Sequence, residues 1–206
     1  MLTYKLHLIR HAITAYNLNG IYSGQLDCPL CPEGITDLKN KIEKYRYPNV
    51  QEVYCSPLTS CVQTADVLYP SSPLTVVEDL REMSLGDFEG KGLLELNKNR
   101  EYLNWISNSL LNPPPNSLEG TEEFTRRITS ALHNILKNMS ERRINEAAVI
   151  SHHGVIMGIL TSFAYPRLPI TDLSVPNCSG YTVSTTIQGW MRDGIVQIIS
   201  PLPELK

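Results

Sequence analysis

Apolar residues recur along this chain with two periods, and the changes of period mark the elements. Leu6, Leu8 and Ile9, led in by Tyr4 and Lys5, read as a buried strand over residues 4–9. A polar stretch, residues 11–33, follows. It is rich in Asn, Gly and Pro, and a loop this long inside a compact domain is usually functional. A helix is expected from Glu33 or Gly34, with Ile35, Leu38, Ile42 and Tyr45 on its buried face. Residues 49–56 form a second strand with Val50, Val53 and Tyr54 inside. Ser56 or Pro57 then opens a helix to about Leu68, the serine capping it and the proline sitting in its first turn. Tyr69-Pro70-Ser71-Ser72-Pro73 breaks that helix, and residues 74–77 make a short strand. A second conspicuous loop spans 80–90. Residues 93–111 read as one helix with Leu93, Leu96, Leu103, Ile106 and Leu110 on one face. Asn112-Pro113-Pro114-Pro115-Asn116-Ser117 is stiff and cannot continue a helix, but is too short to separate domains. The clearest helix covers 123–139, where Phe124, Ile128, Leu132, Ile135 and Met139 repeat at helical spacing. Residues 147–151 are a buried strand and 155–163 a buried helix. Strands at 180–186 and 195–199 close the chain around a turn near Asp193-Gly194.

Strands alternating with helices predict an α/β fold: three layers, doubly wound, with a mostly parallel sheet and helices on both faces. No internal repeat appears, so residues 1–206 are read as a single domain. The first strand ends in Arg10-His11, and the strand at 147–151 ends in His152-His153. Parallel strands bring both ends to one edge of the sheet, where open α/β sheets bind ligands. An arginine, an imidazole and the amide of Asn17 suit a phosphoryl group. The Arg-His pair by itself is as well explained by an ordinary strand end at the surface.

Composition narrows the partners. The chain has 206 residues, 42% apolar and 19% charged, with a net charge of −3; that is a globular composition with material for a core. The pI near 6.0 argues against a general nucleic-acid binder. No apolar run approaches a membrane span, and the first residues lack the regions of a signal peptide. Five scattered cysteines read as reduced thiols, which implies the cytoplasm. Cys28-Pro29-Leu30-Cys31 has redox or half-zinc spacing, but no second pair exists. Redox pairs of this kind normally open a helix, whereas Pro32 and Gly34 follow here, so ordinary loop cysteines are expected.

Several short patterns now join. Leu8-Ile9-Arg10-His11 with Thr14 and Asn17 comes first, then Gly24, Asp27, Pro29-Leu30 and Gly34. Ser56-Pro57-Leu58 with Gln63-Thr64-Ala65 follows, then Leu80, Glu82, Gly86, Phe88, Glu89 and Gly90, and finally Ser151-His152 with Gly154. Together, and in this order over positions 8 to 154, they resemble the histidine phosphatase (phosphoglycerate mutase-like) superfamily, nearest its phosphatase branch. The resemblance implies a phosphoglycerate mutase-like fold and a phosphohistidine intermediate on His11. It gives Arg10, Asn17, Ser23, Gly24, Ser60, His152 and His153 to phosphate and substrate binding. It makes Glu82 the general acid that protonates the leaving group and then activates water. The chemistry agrees with elementary requirements: a neutral imidazole is a competent nucleophile, a guanidinium fork matches phosphoryl oxygens, and a protonated His152 would offset charge on the transferring group. No cofactor or metal is called for. The implied partners are a small phosphomonoester and inorganic phosphate as product, with no nucleic acid and no membrane; oligomeric state is not legible.

Two positions depart from the pattern. The family reads Ser-Pro-Leu-x-Arg where this chain has Ser60 in place of the arginine. Losing one charge-assisted contact costs roughly 1.5–3 kcal/mol of phosphate or transition-state binding. His153 or Arg81 could substitute, the enzyme could be slow, or the site could bind phosphate without turnover. Ala12 replaces a glycine and should slightly narrow the loop. His7 and His133 read as structural, and Glu89 and Arg81 as local ion-pair partners beside the acid. His153 is either pocket rim or filler. A metal-independent phosphomonoesterase is therefore the leading expectation, followed by a phosphoglycerate mutase and by a non-catalytic phospholigand-binding protein. The substrate wall is expected in a helical insertion at about 91–120, where Tyr102, Leu103 and Trp105 either line the pocket or simply pack.

Overall fold

The computed structural model describes residues 2–108 and 113–206. Nine strands and eight α-helices are ordered β1 (Tyr4–Arg10), α1 (Ala15–Leu18), α2 (Pro32–Lys44), β2 (Tyr45–Arg46), β3 (Glu52–Cys55), α3 (Thr59–Leu68), β4 (Leu74–Val76), α4 (Leu93–Leu96), α5 (Arg100–Asn108), α6 (Thr121–Glu141), β5 (Glu146–Ser151), α7 (His153–Phe163), β6 (Ala164–Tyr165), β7 (Gly180–Thr185), α8 (Ile187–Asp193), β8 (Val196–Leu202) and β9 (Glu204–Leu205) among the described residues. Seven strands form one sheet in the order β4-β3-β5-β1-β7-β8-β6, and β2 pairs with β9 separately. β1, β3, β4 and β5 are mutually parallel; β7 is antiparallel to both of its neighbours. This is the expected mostly parallel α/β sheet.

Strand alternation divides the core. Leu6, Leu8, Tyr54, Ala147 and Val149 face one side and pack with the inner face of α6 and with Val155, Ile156 and Ile159 of α7. Val53, Cys55, Ala148 and Ile150 face the other side, against Cys61 and Ala65 of α3. α2 packs through Leu38 against Ala12, Leu30 and Cys178. In α6 all five residues of the expected stripe are buried. No described helix is long and apolar enough to cross a membrane.

Five local expectations are corrected. The polar stretch after β1 contains the one-turn helix α1, and α2 begins at Pro32, with Cys31 as its N-cap: Gly34 N–H donates to Cys31 Sγ (3.3 Å). The cysteine pair does stand before a helix, but Cys31 is a cap whose own thiol donates to the Ile13 carbonyl, and all five cysteines are free. α3 starts at Thr59, not at Ser56 or Pro57; its N-cap Leu58 makes no side-chain bond, and Asp27 of the loop before α2 accepts from Thr59 N–H (2.7 Å) instead. The single helix expected over 93–111 is two, α4 and α5. Asn99 interrupts it by accepting from the N–H groups of Glu101 (2.8 Å) and Tyr102 (3.0 Å), which caps a new start. Of the expected face Leu96 is buried, but Leu93, Leu103 and Ile106 are exposed, and Tyr102 is buried in α5 instead. Leu110, Leu111 and Asn112 lie outside the described residues. Finally, the turn expected near Asp193-Gly194 is the end of α8, started by Thr186, which accepts from Gly189 N–H, and stopped by the left-handed Gly194.

Candidate active site

The ends of three parallel strands meet at one edge of the sheet. Arg10 pairs in register with Ser151. His11 N–H donates to the Ser151 carbonyl (2.9 Å), and Ser56 N–H to that of Ile150 (3.0 Å), so the residues that follow β1, β5 and β3 are neighbours. The His11 and His152 rings stand 5.2 Å apart, centre to centre. Both are almost wholly buried, at 6% and 3% exposure. Neither ring lines the neighbouring cavity of about 500 Å³, whose wall includes the adjoining Arg10 and His153 with Asn17, Ser23, Gly24, Glu82 and Asn177.

The tautomer of His11 follows from its partner. Nδ1 sits 2.7 Å from the Ala12 carbonyl, which can only accept, so Nδ1 carries the proton and Nε2 keeps its lone pair. Burial pushes the ring's pKa down to about 4; the bond to Ala12 opposes this and Arg10 adds to it. Burial also holds His152 well below its ordinary value, reinforced by His11, Arg10 and Arg127. The protonated His152 expected from sequence is therefore neutral in the ligand-free protein at neutral pH. Ser56 Oγ hydrogen-bonds His152 Nε2 (2.8 Å), the task that replaces the expected helix capping, and Cys61 Sγ is 3.5 Å from the same nitrogen.

These directions fix a pH dependence. Above about pH 4 folded His11 is neutral; below it a proton occupies the nucleophilic lone pair. The acid limb of kcat/KM, corrected for ionisation of the ester, is expected near pH 4 and not near 6.5. Stability follows the same sign. Between these values the unfolded chain binds the proton that the folded chain refuses, so stability is full above about 6.5 and falls as pH drops towards 4. Rate profiles and thermal melts across that window check both statements.

Arg10 is anchored by a bond from one terminal nitrogen to the Val175 carbonyl (3.0 Å), and its buried Nε has no partner. His153 Nδ1 lies 3.5 Å from that same carbonyl, which puts the exposed His153 ring at the rim beside Arg10. Asn17 is fixed by α1: its Oδ1 accepts from Thr14 N–H (3.1 Å) and from Asn177 Nδ2 (3.2 Å). Asn177 also donates to the His11 carbonyl (2.9 Å). Its role had no signal in the sequence, since it comes from a loop before β7 with no motif around it.

Glu82 faces this group from the mid-chain loop. Its two carboxylate oxygens accept from the N–H groups of Met83 (2.8 Å) and Gly154 (2.9 Å). A side chain at Gly154 would displace the Glu82 carboxylate, because a Cβ there would stand 2.4 Å from Glu82 Oε1. Gly24, at φ +51°, is similarly pressed onto Glu89. Glu89 is not an ion-pair partner; it accepts from Leu85 N–H (2.8 Å) and Gln25 N–H (3.1 Å) and ties the two loops together. Arg81 does form the expected local pair, with Glu78, and is not among the residues lining the cavity. Ala12 does not line the cavity; it is buried in a cluster with Leu30, Leu38 and Cys178. Ser60 is buried in the first turn of α3 and is also absent from the cavity wall, so no second arginine is found there among the described residues.

Arg127 of α6 was likewise missed. It donates to the carbonyls of Asp79 (2.8 Å), Arg81 (2.8 Å) and Glu82 (3.3 Å), and pairs with Glu119. Glu119 in turn accepts from Ser84 N–H (3.2 Å), so this pair holds the loop that carries Glu82. Arg127→Ala is expected to cost about 3 kcal/mol of stability by leaving Glu119 unpaired. Arg127→Lys should fold, yet lose steady-state activity on aliphatic esters, while p-nitrophenyl phosphate still gives a burst of nitrophenol because its first step needs no acid. Equal loss on both esters without a burst would contradict that positioning.

The geometry can bind a tetrahedral dianion, attack it with an unprotonated nitrogen and exchange a proton with a carboxylate. The chain is 34% identical over 163 residues to "Putative phosphoserine phosphatase 2" of Hydrogenobacter thermophilus, covering 76% of each chain. It is 30% identical over 156 residues to the adenosylcobalamin/alpha-ribazole phosphatase of Salmonella typhimurium, covering 74% of this chain and 75% of that one. A crystal structure of phosphoglycerate mutase from Bacillus anthracis shares the fold, with a TM-score of 0.76 at 19% identity over 97% of this chain and 92% of that one. The family model of the histidine phosphatase superfamily (branch 1) matches residues 6–195. The chain belongs to the histidine phosphatase superfamily.

Proposed function

We propose that this protein is a metal-independent phosphomonoester hydrolase acting on a small phosphorylated metabolite. The observation that carries the reading is the Nδ1–H bond from His11 to the Ala12 carbonyl, which leaves Nε2 bare beside Arg10 and His152. In the first step Nε2 attacks phosphorus, the ester P–O bond breaks, and Glu82 delivers a proton to the departing oxygen. In the second, Glu82 takes a proton from water as the water attacks phospho-His11. The P–N bond breaks and inorganic phosphate leaves. Arg10 and the free Nδ2 of Asn17 donate to the non-bridging oxygens, and His152 adds a donor where charge accumulates. The N-terminal end of α7 opens on the same site and favours negative charge there. Residues 1–206 act as one domain in this reading, with the stretch about 91–120 as the substrate-side wall.

Phosphate release from a panel of phosphomonoesters in the presence of a chelator tests the proposal. Turnover supports it, and an inert wild type with no turnover on any ester contradicts it. Ser60 favours one rival, a protein that binds phosphate without releasing product; calorimetry with inorganic phosphate separates the two. Ser60 immediately precedes Cys61, whose sulfur lies 3.5 Å from His152 Nε2, and in this reading a guanidinium introduced there extends past His152 to the phosphate. Ser60→Arg should tighten inhibition by inorganic phosphate by about tenfold. An unchanged inhibition constant would count against this placement of the phosphate.

A further inference from the structure

The cavity has two chemically different ends. The polar end is the one already described. The remaining wall is built by Ile21, Tyr22, Met83, Leu85, Leu93 and Trp105. The only polar atoms on these six side chains are the Tyr22 hydroxyl, the Trp105 indole nitrogen and the Met83 sulfur. The Tyr22 hydroxyl is committed to Tyr102, at 2.8 Å. The Trp105 nitrogen is buried and has no partner among the described residues. Trp105 is braced from behind by Phe88 (5.5 Å between ring centres) and Tyr102 (6.1 Å), so the wall is preformed. Tyr102, which the sequence offered as a possible lining residue, is thus support; Leu103 does not line the cavity, and Trp105 does.

Charge points the same way. Arg10 is the one permanently cationic side chain among the described lining residues, and the phosphoryl group needs it. His153 shares the Val175 carbonyl with Arg10 and so belongs to the phosphate end. A carboxylate on the leaving group would meet an apolar wall, with no second cation among the described lining residues to offset its desolvation.

We infer that the substrate's leaving group is an uncharged, largely apolar alcohol, with a ring or chain that covers Trp105 and Leu93. The inference rests on the hydrolase reading for its chemistry, but its test does not depend on turnover alone.

Three aliphatic esters of similar reactivity serve as probes: 2-phenylethyl phosphate, glycerol 3-phosphate and O-phosphoserine. The expected kcat/KM for 2-phenylethyl phosphate exceeds that for O-phosphoserine by at least about thirtyfold. Trp105→Ala should reduce the preference for 2-phenylethyl phosphate over glycerol 3-phosphate about tenfold, chiefly through KM. Leu93→Lys alters a half-exposed position that tolerates substitution. It should shift selectivity towards O-phosphoserine about tenfold. Calorimetry on His11→Ala, which cannot turn over, must give the same order of affinities. Equal or better use of O-phosphoserine by an active wild type overturns the inference and leaves the hydrolase reading standing. A wild type inert on all three, yet binding 2-phenylethyl phosphate most tightly, overturns the hydrolase reading and keeps the apolar wall. If binding also shows no preference, the inference fails by itself.

Discussion

Phosphate release is expected to fall by at least about 10⁴-fold in His11→Ala, while the fold survives. The neighbouring imidazoles are otherwise engaged: His152 Nε2 with Ser56, and His153 Nδ1 beside the Val175 carbonyl at the rim. The residual rate would come from binding and charge stabilisation by Arg10, Asn17 and His152. Because His11 is buried without its charge, removing it should also flatten the loss of stability between pH 6.5 and 4, so melts at both ends of that range report whether the variant is folded. Retention of more than a few per cent of the rate would mean that water attacks the ester directly.

Glu82→Gln carries the second large effect. A general acid or base contributes about 10²–10⁴-fold, and the loss should depend on the leaving group. An aliphatic ester needs the proton in the first step and should suffer the full loss. p-Nitrophenyl phosphate expels a stable anion unaided, so its first step should proceed while the second, which needs water activated by Glu82, is slow. A burst of nitrophenol followed by a slow steady state is the expected trace. Equal loss on both esters without a burst would give Glu82 a purely structural role, consistent with its two backbone hydrogen bonds.

The parts of the fold that were legible are those where one local period decides the outcome. The stripe Phe124 to Met139 is a helix face because each of its residues meets the sheet. The two strand ends carrying Arg10-His11 and His152 adjoin because parallel pairing requires it. The stretch from Leu93 to Ile106 misled for a physical reason. Its leucines keep helical spacing across Asn97-Lys98-Asn99, but Asn99 satisfies the amides of a fresh helix start and resets the face. α8 was missed although Thr186 and Gly194 bracket it with ordinary capping chemistry. Within the site, Arg10, Asn17, Glu82 and His153, which the sequence offered as candidates, line the cavity, whereas Ser60 does not. Asn177, Glu119 and Arg127 were not identified in advance, since each acts by supporting a main-chain segment distant in sequence and no local pattern records such a contact.

The account turns on a covalent intermediate, and one measurement reaches it directly. Glu82→Gln, mixed with p-nitrophenyl phosphate, quenched in base and digested, should yield a peptide carrying one acid-labile phosphoryl group on His11, in an amount equal to the burst. A burst without that modification, or a phosphoryl group on another residue, would contradict His11 as the nucleophile.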